Sequence, residues 1–182
     1  MKKSLYEEAR EKALAIFEKA HIVLTETEKS NLEVADFGLN DLYHTGLELV
    51  TYVNTERCCA KEMVIFPGQT CPEHRHAPID GTAYIGKEET FRCRYGKCYV
   101  YIDGEPASNP VCKPPKGSEE WYTVWHEIVL EPGDQFTMMP NTRHWFQAGP
   151  EGAVVSEFST KSYDEYDIFT DPNIKRIPTV EG

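Results

Sequence analysis

A mainly β chain, a barrel or sandwich entered through a helical segment, is predicted by three features of the sequence. From Gly46 onward, runs rich in β-branched and aromatic residues succeed one another; turn residues such as Asp103-Gly104, Pro132-Gly133 and Gly149-Pro150 separate them; and before Gly46 the apolar residues recur at helical spacing. Each element follows from its own signal.

Ser4 and Glu7 form a capping-box pattern, after which Leu5, Ala9, Ala13, Ile16, Phe17 and Ala20 predict an amphipathic helix. Thr25 and Glu28 repeat the pattern before a shorter helix, which Asp36-Phe37-Gly38 ends. Strands are predicted over Leu47 to Val53, Ala60 to Phe66, Thr90 to Tyr95, Lys97 to Ile102, Trp121 to Leu130, Gln135 to Met139 and Ala153 to Ser159. Pro106 to Gly117 holds four prolines without periodicity and reads as a surface loop. Tyr166, Ile168 and Phe169 are unusual in a free tail, so the last segment is expected to pack over the barrel. The 182 residues thus read as one domain: helical over 1–45, barrel over 46–162 and tail over 163–182.

Composition narrows the function. Nineteen Lys and Arg against 30 Asp and Glu give a formal charge of −11, which argues against nucleic acid and anionic membrane as partners. No apolar run approaches the ~20 residues of a membrane helix, and the basic start Met1-Lys2-Lys3 lacks the apolar core of a signal peptide. The six cysteines form no Cys-x-x-Cys pair and are expected as reduced thiols in the cytoplasm.

The chemistry begins at His74-x-His76, because residues two apart on a strand project to one face. An isolated pair of this kind also occurs on strands that bind nothing. Glu89 and His144 would complete a set of three imidazoles and one carboxylate, which suits Mn²⁺, Fe²⁺, Co²⁺, Ni²⁺ or Zn²⁺ with positions left open for substrate. His21, His44 and His126 are not counted among the ligands.

The spacing Gly68, His74-x-His76, Glu89, Gly96, followed by Gly133 and His144 eleven positions later, resembles the two signature motifs of the cupin superfamily. The fold it implies is a cupin-type β-barrel, or jelly roll. Two departures stand out: the interval from His76 to Glu89 is long, implying an inserted loop over Ala77 to Lys87, and Met139, Pro140 and Asn141 replace the usual proline and glycine of the second motif. Asn tolerates a left-handed backbone, so a tight turn at Asn141 remains expected.

Longer strings narrow the resemblance. Phe66-Pro67-Gly68-Gln69-Thr70-Cys71-Pro72-Glu73-His74-Arg75-His76, Lys87-Glu88-Glu89-Thr90-Phe91, Tyr122-Thr123-Val124-Trp125-His126-Glu127, Asn141-Thr142-Arg143-His144-Trp145-Phe146 and the tail Asp167-Ile168-Phe169-Thr170-Asp171-Pro172 resemble the small D-lyxose isomerase family of cupins over nearly the whole chain. That resemblance implies a manganese-dependent aldose-ketose isomerase, commonly a homodimer, acting on D-lyxose and D-xylulose and usually on D-mannose and D-fructose. Rival readings are an Fe²⁺ cupin dioxygenase and a non-catalytic sugar- or metal-binding cupin.

An isomerase needs a base that is not a metal ligand. Glu157, a carboxylate inside the apolar run Ala153 to Ser159, is the first candidate, although alternation alone does not say which face is inward. Lys61 is a candidate to polarise a sugar oxygen or donate a proton, against the plainer reading of a solvated lysine. Of Trp145 and Phe146, one is expected to face the cavity and the other to pack outside; Asp167 and Asp171 would reach sugar hydroxyls if the tail covers the barrel mouth. Arg92 and Arg94 fall on the strand face opposite Glu89 and are expected outside the cavity.

Overall fold

The computed structural model describes residues 1–177 and 179–181. Helix α1 (Lys3–Lys19) and helix α2 (Glu26–Ser30) precede nine strands: β1 (Glu33–Ala35), β2 (Leu47–Asn54), β3 (Cys59–Ile65), β4 (Thr70–Arg75), β5 (Glu89–Ile102), β6 (His126–Leu130), β7 (Gln135–Met138), β8 (His144–Ser159) and β9 (Ile168–Phe169). The expected capping box forms at Thr25 and Glu28, whereas Ser4 and Glu7 do not cap α1, which starts two residues earlier, from an N-cap at Lys2 without a side-chain cap. No described helix is long and apolar enough to cross a membrane.

All nine strands belong to one curled antiparallel sheet of cupin type. Its spine is the pairing of β5 with β8, which runs from Glu89 opposite Ser159 to Ile102 opposite His144. Midway the register shifts: Gly96 faces Ala153 and Cys98 faces Ala148, so Lys97 alone stands against residues 149–152. Gly149-Pro150 therefore does not end the strand. It marks where β8 changes partner, from β4 on its first half to β3 on its second. Gly96 has φ +66, and a Cβ there would lie 1.9 Å from the Gly152 carbonyl oxygen, so the corner admits only glycine. The run Thr90 to Tyr95 and the run Lys97 to Ile102 are one bent strand.

Trp121 to Leu130 is strand only from His126. The backbone N–H groups of Thr123 and Val124 donate to the buried Glu73 carboxylate, which satisfies them without a neighbouring strand. Tyr122 and Val124 instead pack with Tyr101 and Trp145 in an aromatic layer outside the barrel.

Inside, Leu47, Leu49, Met63, Phe91, Val100, Phe146 and Val155 fill one core. A second core, with Ala9, Ala13, Phe17, Val50, Val64 and Val154, lies between α1 and the sheet's outer face. This double burial explains why Met63, Val64 and Ile65 are all apolar. The tail returns to the barrel as expected, with β9 paired to β4.

One buried charge site stands apart. Glu48 lies in the outer core, where Oε1 accepts from Gln69 Nε2 at 3.2 Å and Oε2 has no partner among the described residues. Burial holds its carboxyl well above the usual carboxylate range. A raised folded-state value means that stability is fully present below the unfolded value near ~4.3 and falls as pH rises toward the folded value. Glu48→Gln should therefore raise the melting temperature at pH 8, with little difference near pH 4. Calorimetry of the metal-free protein checks this; each kcal/mol is worth about 2–4 °C at this chain length.

Candidate metal centre and active site

Register alone brings the predicted ligands together. His74 on β4 pairs directly with His144 on β8, and His76 follows one residue past the end of β4. The turn before β8 uses Asn141 at φ +65, the left-handed residue expected in place of glycine. Each imidazole is fixed through Nδ1: His74 to the Pro72 carbonyl at 2.8 Å, His144 to the Thr142 carbonyl at 3.0 Å, and His76 to the Asp167 carboxylate. The opposite nitrogens are left to converge. The Nε2 atoms of His76 and His144 are buried with no hydrogen-bond partner among the described residues, and the three histidines offer ligand atoms within 4.8 Å of one another. Glu89 Oε1 lies 3.2 Å from His76 Nε2 and 3.3 Å from His144 Nε2. Buried imidazoles with Nδ1 engaged and Nε2 unsatisfied fit a divalent cation. An ion held there would draw on His74, His76, His144 and Glu89.

Second in the site is a row of charges. Lys61, Glu157 and Phe91 stand side by side across β3, β8 and β5, and all three face inward. The alternation left open by the sequence resolves with Glu157 inside and Phe158, half exposed, outside. Lys87 Nζ lies 2.9 Å from both Glu157 Oε1 and Glu89 Oε2, bridging the candidate base to the candidate ligand. Lys61 is buried rather than solvated, and its Nζ meets Ser162 Oγ at 3.1 Å and the Asp164 carboxylate at 2.7 and 2.9 Å.

Electrostatics follow from this packing. Burial works against the Lys87 ammonium, but Glu157 and Glu89 outweigh it and hold it well above the ordinary lysine value. Burial would raise Glu89, yet Lys87 and the His76 and His144 rings keep it well below the carboxylate range. His74 is pushed well below the usual histidine value by burial and by its two neighbouring imidazoles. Burial and Lys87 also oppose charge on His76, but Glu89 and Asp167 prevail and raise it to about 9.

Several sequence expectations need placing. Phe146 lines the cavity, packed edge-to-face on Phe91 at 5.1 Å. Trp145 does not: it is fully buried on the other side of β8, stacked on Tyr101 at 4.0 Å with Nε1 donating to the Val124 carbonyl. Its expected sugar contact is corrected to outer packing, since successive strand residues point to opposite faces. Asp167 lines the cavity as the partner of His76. Asp171 is away from it, accepting from the backbone N–H and side-chain amide of Asn173 at 2.8 and 2.9 Å, which corrects its expected role at a hydroxyl. His21, His44 and His126 are exposed, as are Arg94 and, in part, Arg92.

Lys87, Asp164 and Arg176 also line the cavity and were not foreseen. Lys87 fell within the predicted loop, although its place two residues before Glu89 put it on the same face. No local pattern marks Asp164 or Arg176. Because Asp167 fixes the His76 ring, Asp167→Ala should weaken divalent-metal affinity about 10- to 100-fold, as measured by competition with a chromogenic chelator.

No family model matches the chain. Full-length relatives do. The D-lyxose/D-mannose isomerase of Thermosediminibacter oceani is 65% identical over 181 residues, covering 100% of this chain and 99% of that protein. The D-lyxose ketol-isomerase of a Thermofilum species is 60% identical with 98% of each chain covered, and that of Cohnella laeviribosi is 56% identical over 100% of this chain and 98% of its own. Among solved structures, L-ribose isomerase from Acinetobacter sp. DL28 in complex with L-ribose superposes with TM-score 0.80 at 19% identity, covering 99% of this chain and 97% of that one. L-ribose isomerase of Cellulomonas parahominis with L-psicose gives TM-score 0.80 at 19% identity, with 99% and 98% covered. These two share the fold. The identity to the full-length relatives goes further, and by it the chain belongs to the D-lyxose isomerase family.

Proposed function

We propose that the protein interconverts D-lyxose with D-xylulose, and D-mannose with D-fructose, by moving a proton between adjacent sugar carbons through an enediol. One observation carries the mechanism: the Glu157 carboxylate lines the same cavity as His74, His76 and Glu89, and Lys87 bridges it to Glu89. The full-length relatives, isomerases of D-lyxose and D-mannose by name, support the sugar class.

When bound, the divalent ion supplies positive charge against the developing negative charge on the sugar oxygens. Glu157 removes the proton from C2 of the open-chain aldose, and the C–H electron pair enters the enediol double bond; the same carboxyl returns that proton to C1, while the hydroxyl proton of O2 passes to O1, so the carbonyl moves from C1 to C2. Its Oε1 already accepts from Lys87 Nζ at 2.9 Å and Ser159 Oγ at 3.0 Å, while Oε2 takes no hydrogen bond among the described residues. Oε2 is thus the oxygen free to take the proton. Lys87 holds Glu157 in place and offsets the charge of two adjacent carboxylates. Apolar Phe37, Phe91, Phe146 and Phe169 also line the cavity, and they limit water around the enediol.

Manganese is the ion proposed, on the family resemblance; three imidazoles and a carboxylate suit Co²⁺, Fe²⁺, Ni²⁺ and Zn²⁺ as well. A cytoplasmic homodimer is proposed on the same resemblance, and the six free thiols fit a reducing compartment. The chain is proposed to act as one unit, since the tail supplies Asp164 and Asp167 to the cavity.

Metal-loaded protein incubated with D-lyxose in D₂O should yield D-xylulose carrying solvent deuterium at C1. If neither conversion nor deuterium appears with any of the five ions, the isomerase reading is wrong. Glu157→Gln should lose about 10²- to 10⁴-fold in kcat/KM while retaining its metal by elemental analysis. Loss of metal instead would reassign Glu157 as a ligand.

A further inference from the structure

The interior cavity has a volume of about 30 Å³, space for a water or two and far less than a sugar requires. Part of its wall must therefore move before substrate can enter. Among the charged side chains of its lining, Asp164 and Arg176 reach solvent most, at 25% and 11% exposed, against 2–6% for Lys61, Lys87, Glu89, Glu157 and Asp167. The same two residues line an outer recess of about 450 Å³, with Tyr6, Glu33, Glu165 and Ile177 around them. That recess is large enough for a sugar.

We propose that sugar enters through this wall, with the Asp164–Arg176 ion pair as the gate between recess and cavity. The inference rests on the reading of the cavity as the sugar site. Arg176 sits between two carboxylates: Nη2 meets Asp164 Oδ2 at 3.0 Å on the cavity side, and Nη1 meets Glu33 on the outer side. Lys61 holds Asp164 from within, so Asp164 stays paired when Arg176 leaves. Opening therefore strands no buried carboxylate, which keeps its cost low. The recess is lined largely by apolar groups such as Val34 and Ile177, and Glu33 and Glu165 offer hydrogen-bond acceptors to a polyol at its edge. The other candidate route runs under the 77–88 segment, which is pinned to the tail by Tyr84 packing on Tyr163 at 4.9 Å.

Cys71 reports entry without turnover, since it lines the cavity and is buried. N-ethylmaleimide, a sugar-sized thiol reagent, is added to the folded protein and modification of Cys71 is followed by peptide mass spectrometry. Cys98, in the barrel core away from the cavity, serves as the control for general unfolding. Glu33→Gln and Arg176→Met should each speed Cys71 labelling about tenfold, the factor for losing roughly 1.4 kcal/mol of closure, with Cys98 unchanged and Tyr84→Ala without effect. The gate is overturned if neither variant accelerates Cys71, if Cys71 and Cys98 accelerate together, or if Tyr84→Ala alone does so. A protein that admits the reagent through the gate yet isomerises no sugar would refute the proposed function and leave the gate standing.

Discussion

The contact between Gly96 and the Gly152 carbonyl is the constraint on which the molecule turns. Two strands of 14 and 16 residues can stay paired from end to end only if they bend together, and they bend where a side chain would collide with backbone. The bend gives β8 two sets of neighbours. Its first half carries His144 to His74; its second carries Glu157 to Lys61 and, through β5, sets Ser159 opposite Glu89. His144 and Glu157, the proposed ligand and base, are thus positioned by one covalent strand, and their separation is fixed by backbone geometry rather than by loop placement.

Burying so many charges is costly, and the structure meets that cost by alternation. From Glu33 inward the sequence of groups is Arg176, Asp164, Lys61, then Glu157, Lys87 and Glu89, with opposite signs adjacent at each step. Such a row adds little net stability over apolar packing, since desolvation consumes most of the attraction. Its value is positional. Each carboxylate is held in place by its cationic partners.

The sequence made much of this legible. Periodicity located the helices and most strands, the histidine spacing picked out the three imidazoles that the fold brings together, and Asn141 proved to be the left-handed turn residue that its chemistry suggested. What stayed hidden depends on pairing between distant segments. Which face of Ala153 to Ser159 is inward is set by register against β3 and β5, information that period-two alternation lacks. Thr123 and Val124 looked like strand because their partner, Glu73, lies some fifty residues away. Trp145 was one of two adjacent aromatics of which only one can face in. Asp164 and Arg176 lie in a stretch without regular period, so nothing local distinguishes them from surface charges.

The tail that carries those residues bears on how the site is completed. Strands β2 to β8 contain His74, Glu89, His144 and Glu157, so the chain through Ser159 already holds every group that would touch ion or reacting carbon. It lacks Asp167, which fixes the His76 ring, and Asp164, which pairs Lys61. The barrel strands by themselves therefore leave the His76 ring without its Asp167 partner and Lys61 with Glu157 but not Asp164, so the cavity is finished by residues that follow β8 in the chain.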